Sequence, residues 1–263
     1  MSARIKPELT PVISSAAAPQ REFLRFEFKY ILNQPLRDAI EGELGHFLQP
    51  DPVVVDKPER KYVVRSLYFD DPSYSCYYDK IDGLTHRAKF RLRTYTNDPQ
   101  EACDAFLEIK GRHNQKVFKK RVPMLPGEDG LFTRHESDIT RKLLRQAEPG
   151  HVRDRFHYDY LRKSIRPVML IDYLRRPYVS RFSPDFRLTF DDNLHGMHTD
   201  NLYPDDRSRR RALLRGYTVM EVKFSSQIPP WFHRIIRSYQ LKRVSVSKVC
   251  KGIDAWNLVP RLD

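Results

Sequence analysis

The sequence predicts an α+β fold in which antiparallel strands dominate and helices sit at the periphery. Three observations lead there. Nine segments carry β-branched, aromatic or alternating residues. Helical periodicity is confined to five short stretches. One break, Gly111-Arg112-His113-Asn114, has the residues of a hairpin turn between two strand patterns.

In chain order, residues 1–20 are rich in Ala, Ser and Pro without apolar periodicity, and read as a flexible tail; the folded domain is expected over 21–263. Strands are expected at 23–31, 62–70, 85–95, 105–110 and 116–122, then at 168–175, 178–182, 186–191 and 218–224. A helix over 35–48 places Leu36, Ile40, Leu44, Phe47 and Leu48 near one face, with Asn33 as N-cap. A second over 136–147 carries Ile139, Leu143 and Leu144, capped by Ser137. A third is expected over 154–163. A fourth, over 230–241, opens with prolines and aligns Trp231, Ile235, Ile236 and Tyr239. A short helix over 247–253 ends the pattern.

Composition narrows the function. Lys and Arg total 47 against 34 Asp and Glu, a formal charge of +13, which points to an anionic partner. Hydrophobic residues make up 40%, enough for a substantial core. The three cysteines, Cys76, Cys103 and Cys250, have no metal-ligand or disulfide spacing, so a reducing cytoplasm is the expected location. With no long apolar run, attachment to a membrane is expected only through a membrane-protein partner. No Gly-rich phosphate loop, Ser-His-Asp set or RNA-recognition motif is legible. His195 and His198 beside Asp191 and Asp192 read as a polar loop, and Asp70-Asp71 as a structural turn. The run from Asp205 to Arg211 reads as a solvated loop.

Charge on the strands is the sharper signal. Because side chains alternate across an extended chain, Arg87, Lys89, Arg91 and Arg93 share one face, with Ala88, Phe90 and Leu92 opposite. The same alternation places Glu27 with Lys29, Glu108 with Lys110, Lys119 with Arg121, Arg187 with Thr189 and Asp191, and Glu221 with Lys223. One reading is a sheet with a wet face. The other is closure into a barrel of about eight strands, whose interior holds one small ligand. Cations enclosed there need anions, and a chain of phosphates supplies them. Glu27, Glu108 and Glu221 either hold a divalent Mg or Mn ion or pair with neighbouring cations. Tyr68 and Phe69 read as core residues straddling a strand; with Tyr77 and Tyr78 they also admit an aromatic platform for RNA.

Nine segments in order resemble the polymerase domain of the vacuolar transporter chaperone (VTC) family, within the triphosphate tunnel metalloenzymes. They are Arg25-Phe26-Glu27-Phe28-Lys29-Tyr30, Ser66-Leu67-Tyr68-Phe69-Asp70, Arg87-Ala88-Lys89-Phe90-Arg91-Leu92-Arg93, Leu107-Glu108-Ile109-Lys110 and Phe118-Lys119-Lys120-Arg121. Tyr173-Leu174-Arg175-Arg176, Arg187-Leu188-Thr189-Phe190-Asp191, Met220-Glu221-Val222-Lys223 and Val246-Ser247-Lys248 complete the set. The resemblance spans about residues 21–253. It implies an antiparallel β tunnel, a closed barrel of about eight strands, that binds a triphosphate lengthwise.

By the same resemblance, Lys29, Arg91, Arg93, Lys110, Lys119, Arg121, Arg175, Arg187, Lys223 and Lys248 grip phosphates, with Arg87 and Lys89 near the mouth. Arg91, Arg93, Lys110, Arg175 and Glu221 carry the catalytic roles. Arg175 is preferred to Arg176 because it keeps strand parity with Tyr173. Glu221 is the leading metal ligand, with Glu27 and Glu108 beside it. The implied reaction transfers the γ-phosphate of ATP, or another nucleoside triphosphate, to growing inorganic polyphosphate with release of ADP, without specific nucleic-acid recognition. The wider superfamily has Glu-x-Glu-x-Lys on its first strand; Arg25 stands at the first of those glutamates here. A tripolyphosphate or nucleoside triphosphate hydrolase and a non-catalytic polyphosphate or RNA binder are the competing classes.

Overall fold

The computed structural model describes residues 25–101, 103–114, 116–127, 132, 133, 136, 138–205 and 209–260. The expected tail at 1–20, the Ser137 cap and part of the 205–211 run lie outside them.

Ten strands form one sheet: β1 (Phe26–Asn33), β2 (Leu48–Pro50), β3 (Tyr62–Asp70), β4 (His86–Thr94), β5 (Ala105–His113), β6 (Lys116–Pro123), β7 (Arg166–Ser180), β8 (Arg187–Met197), β9 (Arg211–Ala212) and β10 (Tyr217–Phe224). The order is β1-β10-β8-β7-β3-β4-β5-β6, with β2 on β7 and β9 on β8; every pairing is antiparallel. The expected closed barrel is met only in part. β1 and β6 are the ends of the path, and one bridge joins them, Arg25 to Val117, the Val117 amide donating to the Arg25 carbonyl at 3.4 Å. The sheet is rolled, with a seam that no ladder closes.

The helices are α1 (Gln34–Leu44), α2 (Ser75–Ile81), α3 (Ile139–Gln146), α4 (His151–Lys163), α5 (Pro230–Ser238) and α6 (Lys248–Ala255). Asn33 caps α1 as expected, its Oδ1 accepting from the Leu36 amide at 3.0 Å. The helix stops at Leu44, short of the expected 48, because Leu48 enters β2 against Ser180. At the start of α3, Asp138 accepts from the Arg141 amide at 2.9 Å. α2 was not anticipated. It is one short helix made by Asp70 and Asp71, whose carboxylates accept from the Ser73, Ser75, Cys76 and Tyr77 amides. The turn reading of that pair is correct.

Two expected strands, 168–175 and 178–182, are one 15-residue strand, β7. Pro177 is tolerated inside it because β3 pairs only as far as Arg175 and β2 begins at Tyr178, so a missing amide there breaks no bond to either neighbour. Gly111, Arg112 and His113 belong to β5; the chain turns instead at Asn114, whose φ of 54° is left-handed. His195 lies in β8 rather than in a loop. No helix among the described residues is long and apolar enough to cross a membrane.

The outer face of the rolled sheet is the apolar one. Phe90, Leu92 and Leu107 pack under α3 and α4 with Phe69 and Phe156. Tyr30, Phe190, Met220 and Val222 pack under α1 and α5. Val64, Met169 and Ile171 pack against α6. Phe156 is fully buried and meets Phe69 and Phe90 edge-on at 5.1 and 5.2 Å. Phe156→Ala is expected to lower the unfolding free energy by about 3–5 kcal/mol, read from urea denaturation.

Candidate functional site

Burying the apolar positions outside turns the alternate positions inward. On β4, Phe90 and Leu92 are in the core, while Arg91 and Arg93, each 6% exposed, face a central cavity. That cavity has a volume of about 820 Å³. It follows β4 from Arg87 to Tyr95, eight residue steps, roughly 27 Å at about 3.4 Å each. Fifteen lysines and arginines line it against three carboxylates, Glu27, Asp51 and Glu221.

Eleven of the twelve expected phosphate ligands are among those fifteen: Lys29, Arg87, Lys89, Arg91, Arg93, Lys110, Lys119, Arg175, Arg187, Lys223 and Lys248. Arg121 is not. It is exposed and lies over the Phe106 ring at 4.3 Å. Strand parity is necessary but not sufficient here, because Arg121 lies beyond the stretch of β6 that borders the cavity. Arg175 faces inward as parity suggested, while Arg176 turns to Glu41 and Asp192 outside.

Four carboxylates divide the inward cations. Glu108 is fully buried; Arg91 donates to its Oε2 through Nε at 2.7 Å and Lys119 to its Oε1 at 3.1 Å. Asp191 accepts from Arg175 at 2.7 and 2.8 Å and from Lys248 at 2.6 Å. Glu27 pairs with Lys29 at 3.0 Å and Lys110 at 3.1 Å. Glu221 pairs with Lys223 at 2.7 Å and Lys29 at 3.8 Å. Lys89, Arg93 and Arg187 make no ion pair with a carboxylate among the described residues. Lys89 donates to Ser247 Oγ at 3.1 Å, and Arg93 to Ser66 Oγ at 3.0 Å and the Tyr173 hydroxyl at 3.3 Å.

Burial would raise each of these acids, but cations prevail. Glu108 is held well below the usual carboxylate range by Arg91, Arg93 and Lys119. Lys223, Lys29 and Lys110 do the same for Glu221, and Lys110, Lys29 and Lys223 for Glu27 despite Glu221 beside it. Burial lowers Lys110 to about 8 against the pull of Glu27, and Lys119 to about 8 against that of Glu108. Tyr68 belongs to the core cluster under α6, as expected, and also reaches the cavity, where its hydroxyl accepts from Arg91 at 3.1 Å. Burial would raise its phenol, and Arg91, Arg93 and Lys89 bring it down to about 7. Phe69 is a core residue as expected. Tyr77 is tied to Asp254 at 2.6 Å, so the aromatics do not form an open platform for bases.

Several site residues escaped sequence reasoning. Asp191 shares parity with Arg187, a signal that marked its face but not its counterion role. Arg243 to Ser247 has no periodicity, yet it forms part of the cavity wall. The Val244 amide donates to the Lys29 carbonyl at 2.9 Å, Lys29 Nζ donates back to the Val246 carbonyl at 3.1 Å, and Arg243 lies 3.9 Å over Phe28. Thr189 borders the cavity with its buried hydroxyl unpartnered among the described residues.

Of the three glutamates expected to hold a metal, Glu108 does not border the cavity and receives Arg91 and Lys119 on its two oxygens. Glu27 and Glu221 do border it, both ionised and bridged by Lys29. No group of three acidic, His or Cys side chains that could hold a metal occurs among the described residues. Two carboxylates with substrate oxygens and waters still suit a hard octahedral cation.

A family model for the VTC domain matches residues 24–257. Among solved structures the chain is similar to the PH1819 protein from Pyrococcus horikoshii OT3, at 11% identity over 88% of this chain and 99% of that one, with a TM-score of 0.45. It is also similar to the Mimivirus capping-enzyme triphosphatase, at 9% identity over 83% of this chain and 89% of that one, with a TM-score of 0.37. At these scores neither structure bears on function.

The protonated Lys119 is the anion-binding form. Tripolyphosphate affinity is therefore expected to hold below pH 8 and to fall as pH rises through about 8, the value to which burial brings this amine. Lys119→Arg, charged throughout, should lessen that fall and leave the part due to Lys110, which burial also brings to about 8; titration calorimetry from pH 6.5 to 9.5 checks both.

Proposed function

The chain belongs to the VTC domain family, and on that premise we propose that its cavity is a phosphate tunnel for polyphosphate synthesis. The γ-phosphate of ATP, or of another nucleoside triphosphate, passes to the end of an inorganic polyphosphate chain and ADP leaves. The observation that carries this reading is the run of cavity-lining cations, Lys89, Arg93 and Arg187, that have no carboxylate partner among the described residues, in a cavity far longer than three phosphates require.

A terminal polyphosphate oxygen attacks the γ-phosphorus, and the bond to the β–γ bridging oxygen breaks with its electron pair going to ADP. Arg91, Arg93, Lys110 and Arg175 hold the reacting phosphates in line and offset charge on their oxygens. Arg91 and Arg175 do so from fixed positions, each locked by a carboxylate behind it. Lys29, Arg87, Lys119, Lys223 and Lys248 extend the grip along donor and acceptor chains. Glu221 and Glu27 would hold a divalent Mg or Mn ion, which would supply Lewis-acid neutralisation of the charge that develops on the phosphates. The transfer is read as direct, without a phospho-enzyme; in support, no histidine lines the cavity among the described residues and Asp191 is capped by two cations.

Labelled ATP with Mn and a short polyphosphate primer is expected to yield long polymer resolved on urea gels. Orthophosphate as the sole product would make the protein a hydrolase instead. Arg93→Ala leaves the Arg91–Glu108 pair intact and should weaken tripolyphosphate binding at least about tenfold, the effect of one strong charge-assisted contact, with an unchanged circular dichroism spectrum. Glu221→Gln should abolish metal-dependent turnover while tripolyphosphate still binds.

A further inference from the structure

The segment Ser66-Leu67-Tyr68-Phe69-Asp70 is divided between the two faces of β3. Leu67 and Phe69 belong to the core under α3 and α4, and Asp70 holds the start of α2. Ser66 and Tyr68 take the other face, where the register sets them opposite Arg93 and Arg91 on β4. Ser66 Oγ accepts from Arg93 at 3.0 Å, and the Tyr68 hydroxyl from Arg91 at 3.1 Å. Glu108 already takes Nε and Nη2 of Arg91, so Tyr68 receives the remaining nitrogen, Nη1.

The surroundings of that hydroxyl are cationic. Its ring is fixed among Val64, Met169 and Cys250, which leaves the oxygen at the cavity wall. Lys29 acts on it from β1, and Lys89, Arg91 and Arg93 from β4. Lys89 Nζ and the Arg91 guanidinium lie 5.7 and 5.9 Å from the ring centre. From β7 comes the Tyr173 hydroxyl, itself bonded by Arg93; α6 adds only the buried Cys250. No carboxylate is bonded to Tyr68 among the described residues. The cations outweigh burial and bring its phenol to about 7, whereas burial moves Tyr30, Tyr62, Tyr74, Tyr178 and Tyr203 the other way. Tyr68 thus gives Arg91 an anionic oxygen of the protein's own.

We propose that Tyr68 is a further phosphate-contacting residue of the tunnel, an internal counterion for Arg91 that takes up a proton when a phosphate chain arrives and then donates it in a hydrogen bond to a phosphate oxygen. The inference rests on the tunnel reading. Phosphate oxygens beside Arg91, Arg93 and Lys89 offset the charges that keep the phenol ionised. A buried phenolate next to them meets repulsion as well as desolvation. The proton comes from solvent, and the O–H bond is the only covalent bond formed. Arg91 keeps its acceptor, because a neutral hydroxyl both accepts and donates. Lys119 and Lys110 alone would hold tripolyphosphate affinity to about pH 8; the proton taken by Tyr68 starts its loss near 7.

Tyrosinate absorbance in the near ultraviolet tests this on the whole protein. Without ligand, a step equivalent to one of the 14 tyrosines is expected near pH 7, and Tyr68→Phe should lack it. At pH 8, saturating tripolyphosphate should remove that absorbance. No step near 7, or a step that bound tripolyphosphate leaves in place, overturns the role of Tyr68 and leaves the tunnel reading standing. If tripolyphosphate fails to bind by calorimetry, the tunnel reading falls, and this contact with it. In a second measurement, Tyr68→Phe should raise the Kd for tripolyphosphate about tenfold at pH 6, the loss of one hydrogen bond to a charged group. That ratio should shrink steadily up to pH 8.5, because only the unaltered protein then has a phenolate to protonate; Lys110 and Lys119 are common to both proteins and cancel. A ratio constant with pH, as a purely structural tyrosine would give, overturns the proposal.

Discussion

Many cations enclosed in one cavity repel each other, and this protein folds because carboxylates are placed among them strand by strand. Glu27, Glu108, Asp191 and Glu221 come from β1, β5, β8 and β10, three of them neighbours in the sheet. Each ion pair lies in or against the cavity wall, where desolvation is costly unless geometry and hydrogen bonds are good. The two-point contact of Arg175 with Asp191 and the shared Glu108 between Arg91 and Lys119 meet that condition. The compensation is incomplete: Lys89, Arg93 and Arg187 pair with no carboxylate among the described residues.

The inside-out sheet makes this possible. Apolar alternate residues face outward and need cover, which α3 and α4, α1 and α5, and α6 provide in three clusters. Helices therefore stabilise the polar interior indirectly, by giving the opposite faces of the same strands something to pack against. The stretch before α6 does the reverse and joins the interior. It is bonded to Lys29 on β1 and Lys89 on β4 and delivers Lys248 to Asp191, linking strands from both halves of the chain.

The seam between β1 and β6 gives the roll a side that strands do not seal. A fully laddered barrel would confine any ligand to its axis. Here Ala88, Gly111 and Phe118, small or laid flat, stand between the main cavity and the space under α4.

The strands and the inward set were largely legible in the chain, because period-two alternation of Arg and Lys against Phe, Leu and Ile assigns faces without knowledge of the partners. That is why β3 was bounded to the residue and why Arg175 was separable from Arg176. Tertiary structure decided what lies far apart in sequence or depends on where a strand ends. It kept Glu108 out of the cavity lining and placed Arg91, 17 residues away, and Lys119, 11 away, on its two oxygens. It excluded Arg121 by position along β6, brought Tyr68 to the cavity, left the barrel with an unladdered seam and enlisted the aperiodic stretch before α6. Alternation is a property of one strand read alone; counterions, closure and cavity limits are properties of strands brought together, and only packing chooses among them.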